Sequence, residues 1–370
     1  MLLGPLHPPY MGPSIATEII LQSSLKEHFN LYHLNTNIHK TLSTLGKWRL
    51  SSLWKNIVLY LKMINLIIKY KPDLVLIPIS QTTSGFIKDS IYILISRLFL
   101  RKTLLQLRGG NFRNWLDSST MLTRAYVSAV IRSAQGVIVL GNKLRQLFSD
   151  YFKEEQIFVV PNGANYNFPF NQKRNSYKIK VLYLGNLQLS KGIEDVVEAF
   201  VLLKRDSTDL KYEVDIVGNW RDEVTKDKCS KLINDRDLPI TFYPSVGGND
   251  RFSFFKNADI FIFPPREPEG HPWVIVEAMA AGLPIISTDQ GAITESVIDG
   301  VNGFIVEKQN SQQIAEKIKI LIEVPELRKK MGKESRRLYE ENFTEEKMVE
   351  RLTQAFNSVL NQNLTPTRCK

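Results

Sequence analysis

Short apolar runs alternate along the chain with longer stretches whose apolar positions recur every three to four residues. Runs at Met1–Leu6, Leu74–Pro78, Thr103–Leu107, Gly136–Leu140 and Ile157–Val160 have strand length, and Ser14–Phe29 has helical spacing. Lys71-Pro72-Asp73 ends the segment before one run, and Pro161-Asn162-Gly163 closes another. A polar, Asn-rich stretch with Pro169, from Gly163 to Tyr177, reads as a linker. The alternation then restarts with Lys180–Leu184, Tyr212–Val217, Ile240–Tyr243, Ile260–Phe263, Pro284–Ser287 and Gly303–Val306. Strands alternating with helices predict an α/β fold, a parallel sheet with helices on both faces. The restart predicts two doubly wound domains, with a crevice lined by the C-terminal ends of their strands. The expected boundaries are 1–165, a linker at 166–177, 178–343, and a closing segment at 344–370.

Composition changes this picture little. With 370 residues, 43% apolar and 23% charged, the chain suits two ordinary globular domains. Cys229 and Cys369 make no disulfide framework, and no Cys/His spacing suits zinc, so a reducing compartment and no metal are expected. No basic segment followed by an apolar core opens the chain, and Phe86–Leu100 is interrupted by Lys88, Asp89 and Arg97, so a soluble or peripheral protein is expected.

Charge changes it more. Residues 1–165 hold 19 Lys/Arg against 8 Asp/Glu, a balance of +11, whereas residues 166–370 hold 29 against 30. The asymmetry points to an anionic partner for the first half, or to solubility alone. Within that half, Lys40–Lys71 is lysine-rich and carries Trp48 and Trp54 among many apolar residues. It suits an anionic membrane surface or, equally, core-facing helices with a solvated basic rim. No zinc-finger or recognition-helix pattern supports a nucleic-acid partner.

The chemistry concentrates in Arg266–Glu307, REPEGHPWVIVEAMAAGLPIISTDQGAITESVIDGVNGFIVE. Glu269 and Glu277 are separated by seven residues, with Gly270 and Pro272 ahead of an apolar helical run, which puts Glu269 at a helix N-terminus and Glu277 about one turn inside. The amides of a helix N-terminus form an anion site. Carboxylates beside it fit a ligand that offers them neutral hydroxyls while its phosphates sit on the amides, as a sugar nucleotide does. Upstream, Tyr183–Gly192 (YLGNLQLSKG) runs a strand into Gly185 and sets Lys191 before the next helix, a point charge for phosphate or merely an exposed lysine.

The block from Glu269 to Val306 resembles the donor-site signature of glycosyltransferase family 4: Glu, seven residues, Glu, then Ala-Met-Ala, Gly-Leu-Pro and Gly-Phe-Ile-Val. YLGNLQLSKG, VPNG at Val160–Gly163 and DIVGNW at Asp215–Trp220 extend the resemblance. It implies a GT-B fold of two Rossmann-like domains, a C-terminal helix crossing back from about Thr344, and a retaining, metal-independent transferase with no prosthetic group. The implied donor is a nucleotide-diphosphate sugar, UDP ahead of GDP. The implied acceptor is a saccharide, in cell-surface polysaccharide or lipopolysaccharide synthesis; the basic first half and the Lys40–Lys71 stretch, which would dock anionic lipid, make a lipid-linked acceptor at the cytoplasmic face of a membrane the expectation.

Carried onto this chain, Glu277 would bind the ribose hydroxyls and Glu269 would position the transferred sugar. The Gly270, His271, Pro272 and Trp273 segment would meet sugar or diphosphate, Lys191 would pair with the diphosphate, and Gly12 would lie in the glycine-rich loop of the first domain. Two positions depart from the family pattern. Gly185-Asn186 stands where Gly-Arg is usual, so one phosphate-binding cation is either missing or supplied elsewhere, with Arg266 the candidate. Arg108, in LQLRGGNF, stands where a His is usual and would contact sugar, phosphate or an acidic acceptor. A sugar-nucleotide epimerase and a non-catalytic sugar binder share the implied architecture and remain as alternatives; a glycoside hydrolase would use two carboxylates but needs no Lys191.

Overall fold

The computed structural model describes residues 1–8, 11–37, 50–168, 177–207 and 209–362. Residues 40–49 of the basic stretch, with Trp48, and Pro169 of the linker lie outside them. The chain forms two compact units, residues 1–164 with 345–370, and residues 165–344.

The first unit is built on six parallel strands, β1 (Leu2–Gly4), β2 (His33–Asn35), β3 (Leu74–Ile79), β4 (Lys102–Leu107), β5 (Gly136–Val139) and β6 (Ile157–Val159), in the order β2-β1-β3-β4-β5-β6. Its helices are α1 (Gly12–Gln22), α2 (Leu25–His28), α3 (Leu50–Tyr70), α4 (Thr83–Leu98), α5 (Phe112–Asp117) and α6 (Met121–Ile131). The single helix expected over Ser14–Phe29 is two. The Ser23 hydroxyl donates to Ile20 O (2.8 Å) and accepts from Leu25 N (3.3 Å), and this local bonding breaks the helix. Strand β2 escaped the sequence reading because it has three residues, of which only Leu34 is buried.

The second unit repeats the plan with β7 (Ile179–Leu184), β8 (Tyr212–Val217), β9 (Ile240–Tyr243), β10 (Ile260–Phe263), β11 (Ile285–Thr288) and β12 (Gly303–Val306), parallel, in the order β12-β11-β10-β7-β8-β9. Its helices are α7 (Ile193–Asp206), α8 (Glu223–Asp235), α9 (Phe252–Asn257), α10 (Trp273–Ala280), α11 (Ser311–Glu323) and α12 (Pro325–Asn342). Every residue of α10 except Val274 is buried, as suits a helix that is apolar nearly all round.

The last helix, α13 (Glu345–Asn361), belongs to the first unit. Met348, Val349, Leu352, Ala355, Phe356 and Val359 recur at helical spacing and are buried with Leu2, Leu74, Leu76 and Leu104. Phe356 meets Phe29 edge-on at 5.3 Å. The Lys102 ammonium donates to Leu360 O (2.5 Å) and Gln362 O (2.6 Å), placing a cation at the carbonyl end of the helix.

Phe356→Ala is expected to cost ~3–5 kcal/mol in the first unit. Native-state hydrogen exchange should show lost protection in β3 and β4 with β7 and β8 unchanged; equal loss in both sheets, or none, contradicts the assignment of α13.

Candidate functional site

In the second unit the chain leaves β7 for β8 and β9 on one side and leaves β10 for β11 and β12 on the other, so the sheet switches direction between β7 and β10. Ligands of open parallel sheets bind beyond the carboxyl ends of the strands at such a point. Both motifs arrive there. After β7 the chain passes Gly185-Asn186 and a tight turn, Leu189–Lys191, into α7; after β10 it passes Arg266 and Glu269 into α10. Lys191 Nζ and Glu269 Oε1 form an ion pair, with both side chains largely buried.

Backbone contacts hold the two loops close. The Tyr183 hydroxyl donates to Lys191 O at 3.2 Å, Arg266 N donates to Ser190 O at 3.0 Å, and the Thr288 hydroxyl donates to Pro265 O at 2.6 Å. Two glycines make the approach possible. Gly192 has φ +75°, and a Cβ there would lie 2.0 Å from Pro264 O. Gly291 has φ +63°, and a Cβ there would lie 1.6 Å from Glu269 O.

Glu277 sits on α10 with 0% of its surface exposed. Arg251, from the turn Gly248–Arg251 after β9, pairs with its Oε1, and the Tyr166 hydroxyl donates to the same oxygen at 3.3 Å. Oε2 is buried without a hydrogen-bond partner among the described residues. Burial pushes the carboxyl from 4.5 up to about 7, while Arg251 and Tyr166 pull it down. Neither partner belongs to a motif in the sequence. The one signal was the carboxylate itself, inside an apolar run that gives it no neighbour.

The remaining candidates fall in several places. Gly270 precedes α10, and its carbonyl accepts from Ala292 N at 3.0 Å; Pro272, the N-cap, has no N–H, so Trp273 and Val274 begin the helical amides. His271 is buried, with Nε2 2.6 Å from Ser296 Oγ and its ring 5.0 Å from Phe343. Asn186 is exposed beside Gly185. Arg266, expected to replace the missing cation, is instead committed to Asp195, donating from Nε (2.7 Å) and Nη2 (2.6 Å) in a bidentate pair that neutralises its charge.

Arg108 and Gly12 meet in the first unit. That sheet switches direction between β1 and β3, and Arg108, beyond the end of β4, reaches α1, the helix that follows β1. Gly12 is the first residue of α1 rather than part of an open loop. Arg108 Nη1 donates to Pro13 O and to Thr17 Oγ1 (3.1 Å), and Nε donates to Gln106 Oε1 (3.0 Å). Its Nη2 is buried without a hydrogen-bond partner, and burial lowers its pKa to about 10. Among the described residues no carboxylate pairs with it.

Residues 166–338 match the family described as glycosyl transferases group 1, and the two-sheet architecture is the GT-B fold. The chain is 28% identical over 245 residues to the capsular polysaccharide biosynthesis glycosyltransferase CapM of Staphylococcus aureus, covering 62% of this chain and 63% of CapM, so the match spans about three fifths of that relative's length. Among solved structures, a glycosyltransferase from Rickettsia africae superposes with TM-score 0.73 at 18% identity, covering 98% of this chain and 99% of that one. Anabaena HepE, solved in complex with UDP-glucose, superposes with TM-score 0.73 at 16% identity, covering 96% and 99%.

The buried carboxyl makes a pH prediction. Between pH 4.5 and about 7 folded Glu277 keeps a proton that the unfolded chain has lost, so its contribution to stability falls as pH rises through that window. Glu277→Gln does not titrate. In urea unfolding followed by a probe in the second unit, wild type should lose on the order of 3 kcal/mol relative to Glu277→Gln between about pH 4 and about pH 8. A difference independent of pH contradicts the shift.

Proposed function

We propose that the protein is a retaining, metal-independent glycosyltransferase that moves a sugar from a nucleotide-diphosphate donor, UDP ahead of GDP, to a saccharide acceptor in cell-surface polysaccharide synthesis. The observation that carries this reading is the meeting of Lys191 and Glu269 at the switch point of the second sheet, with Glu277 one turn inside α10. On this reading the donor's diphosphate takes up the Lys191 ammonium and the amides that open α10, and Glu277 accepts from the ribose. Glu269, released from Lys191, holds the hydroxyls of the transferred sugar. The bond from the anomeric carbon to the diphosphate oxygen breaks, the leaving charge is met by Lys191 and the helix end, and an acceptor hydroxyl forms the new bond with configuration retained, its proton passing to the departing diphosphate oxygen. The UDP-glucose complex of HepE and the capsular role of CapM support this donor class and setting.

A lipid-linked acceptor at a membrane surface is part of the same proposal, supported by α3. Its Leu59, Met63 and Ile67 face the core, while Trp54 (68% exposed), Ile57, Leu61 (61%) and Ile68 form a second apolar stripe outside. Lys55, Lys62 and Lys69 run seven apart along its flank, exposed. An apolar stripe beside a basic row fits the headgroup region of an anionic bilayer, and no helix of the described residues is long and apolar enough to cross one.

Calorimetry with UDP, GDP, ADP and CMP should find one diphosphate that binds wild type without added metal, and Glu277→Ala should weaken it ~10–100-fold, as the loss of a charged hydrogen bond requires. Binding of none, or equal binding by the variant, refutes the donor site. Vesicle flotation should show wild type on anionic but not neutral liposomes, with Trp54→Glu/Leu61→Glu lost from the anionic ones; equal flotation of the variant refutes the membrane face.

A further inference from the structure

Glu277 is held unevenly. Arg251 and Tyr166 both act on Oε1, and Oε2 is left buried without a partner. A buried acceptor without a donor costs about 1–3 kcal/mol, and such an atom in a folded protein asks for an explanation. The two partners are themselves fixed. The Arg251 guanidinium lies over the Phe252 ring at 5.2 Å, and Tyr166 N donates to the Tyr339 hydroxyl at 2.9 Å. Other charged or titratable groups packed around α10 are engaged elsewhere. Arg336 of α12 donates to Ala280 O (2.6 Å), pairs with Glu340 and lies over the Tyr339 ring at 5.3 Å, while His271 meets Ser296. Charge compensation of Glu277 therefore comes from Arg251.

We propose that Arg251 is a positioning residue for ribose recognition: it lets Glu277 ionise near neutral pH and aims it through Oε1, leaving Oε2 to accept from the ribose hydroxyls of the donor. The proposal rests on the nucleotide-sugar reading and adds to it a residue outside the two-glutamate motif. The physical case is electrostatic. A carboxylate in an apolar helix is driven toward its neutral form, and Arg251 is the main group opposing that drive. Without Arg251 the carboxyl stays protonated to a higher pH, and the charge-assisted bond to a hydroxyl goes with the charge. The phosphates, held by other groups, are not affected.

The test compares wild type, Arg251→Gln and Arg251→Lys by calorimetry. The ligands are whichever of UDP, GDP, ADP and CDP wild type binds, its 2′,3′-dideoxy counterpart, and inorganic pyrophosphate as the ribose-free control. Wild type should prefer the ribose form by ~10-fold or more, the worth of a charged hydrogen bond. Arg251→Gln should bring the two forms within about twofold near pH 7 while leaving pyrophosphate unchanged, and raising the pH should restore part of the preference. Arg251→Lys, which keeps the charge, should retain most of it. The proposal is overturned if Arg251→Gln keeps the preference with the same pH dependence, or if it weakens all three ligands alike with no recovery at high pH. Wild type that binds none of the four nucleotides, or that shows no preference for ribose, overturns the donor-site reading itself and this proposal with it.

Discussion

The ion pair between Lys191 and Glu269 is the contact on which the site in the second unit depends. Each residue ends a loop from one side of the sheet's switch point, and their charges close the gap between the chain leaving β7 and the chain leaving β10. Both side chains are largely withdrawn from water, so the attraction is less screened than at a surface, and removing either partner leaves a costly charge. The close backbone approach at Gly192 follows from the same requirement, because a side chain there would push the two loops apart, and Gly291 lets the chain leaving β11 lie against Glu269. The pair also gives the site a ready exchange. A diphosphate on Lys191 would free Glu269 for neutral hydroxyls, which suits a ligand carrying both.

The two glutamates have the same side chain and opposite environments. Glu269 faces a lysine in a polar loop, whereas Glu277 stands in an apolar helix against an arginine and a tyrosine. Environment rather than residue type divides the work between carboxylates in a site. The first unit offers a counterpart of opposite sign. Arg108 crosses the switch point of its own sheet to α1 and keeps Nη2 without a hydrogen-bond partner, a cation set among carbonyl and hydroxyl oxygens.

Much of this was legible before any coordinates. Short apolar runs marked all the strands but β2, whose three residues carry too little apolar pattern to register. The spacing of Glu269 and Glu277 placed one carboxylate ahead of a helix and the other inside it, as found. Contacts between loops far apart in sequence were not legible. Tyr166 and Glu277 are 111 residues apart, and nothing near Arg251 announces a partner for a buried carboxylate. The Arg266–Asp195 pair was hidden for a related reason: Asp195 lies on the first turn of α7, where its acidic side chain looks like an ordinary helix-start residue until the fold brings Arg266 to it.

The most direct measurement is a crystal structure of the protein with the nucleotide-diphosphate sugar it binds. The diphosphate is expected on Lys191 at the carboxyl ends of β7 and β10, with the ribose on Glu277 and Glu269 turned to the sugar. A nucleotide seated elsewhere on the molecule, with the Lys191–Glu269 pair intact, would contradict the reading of the switch point as the donor site.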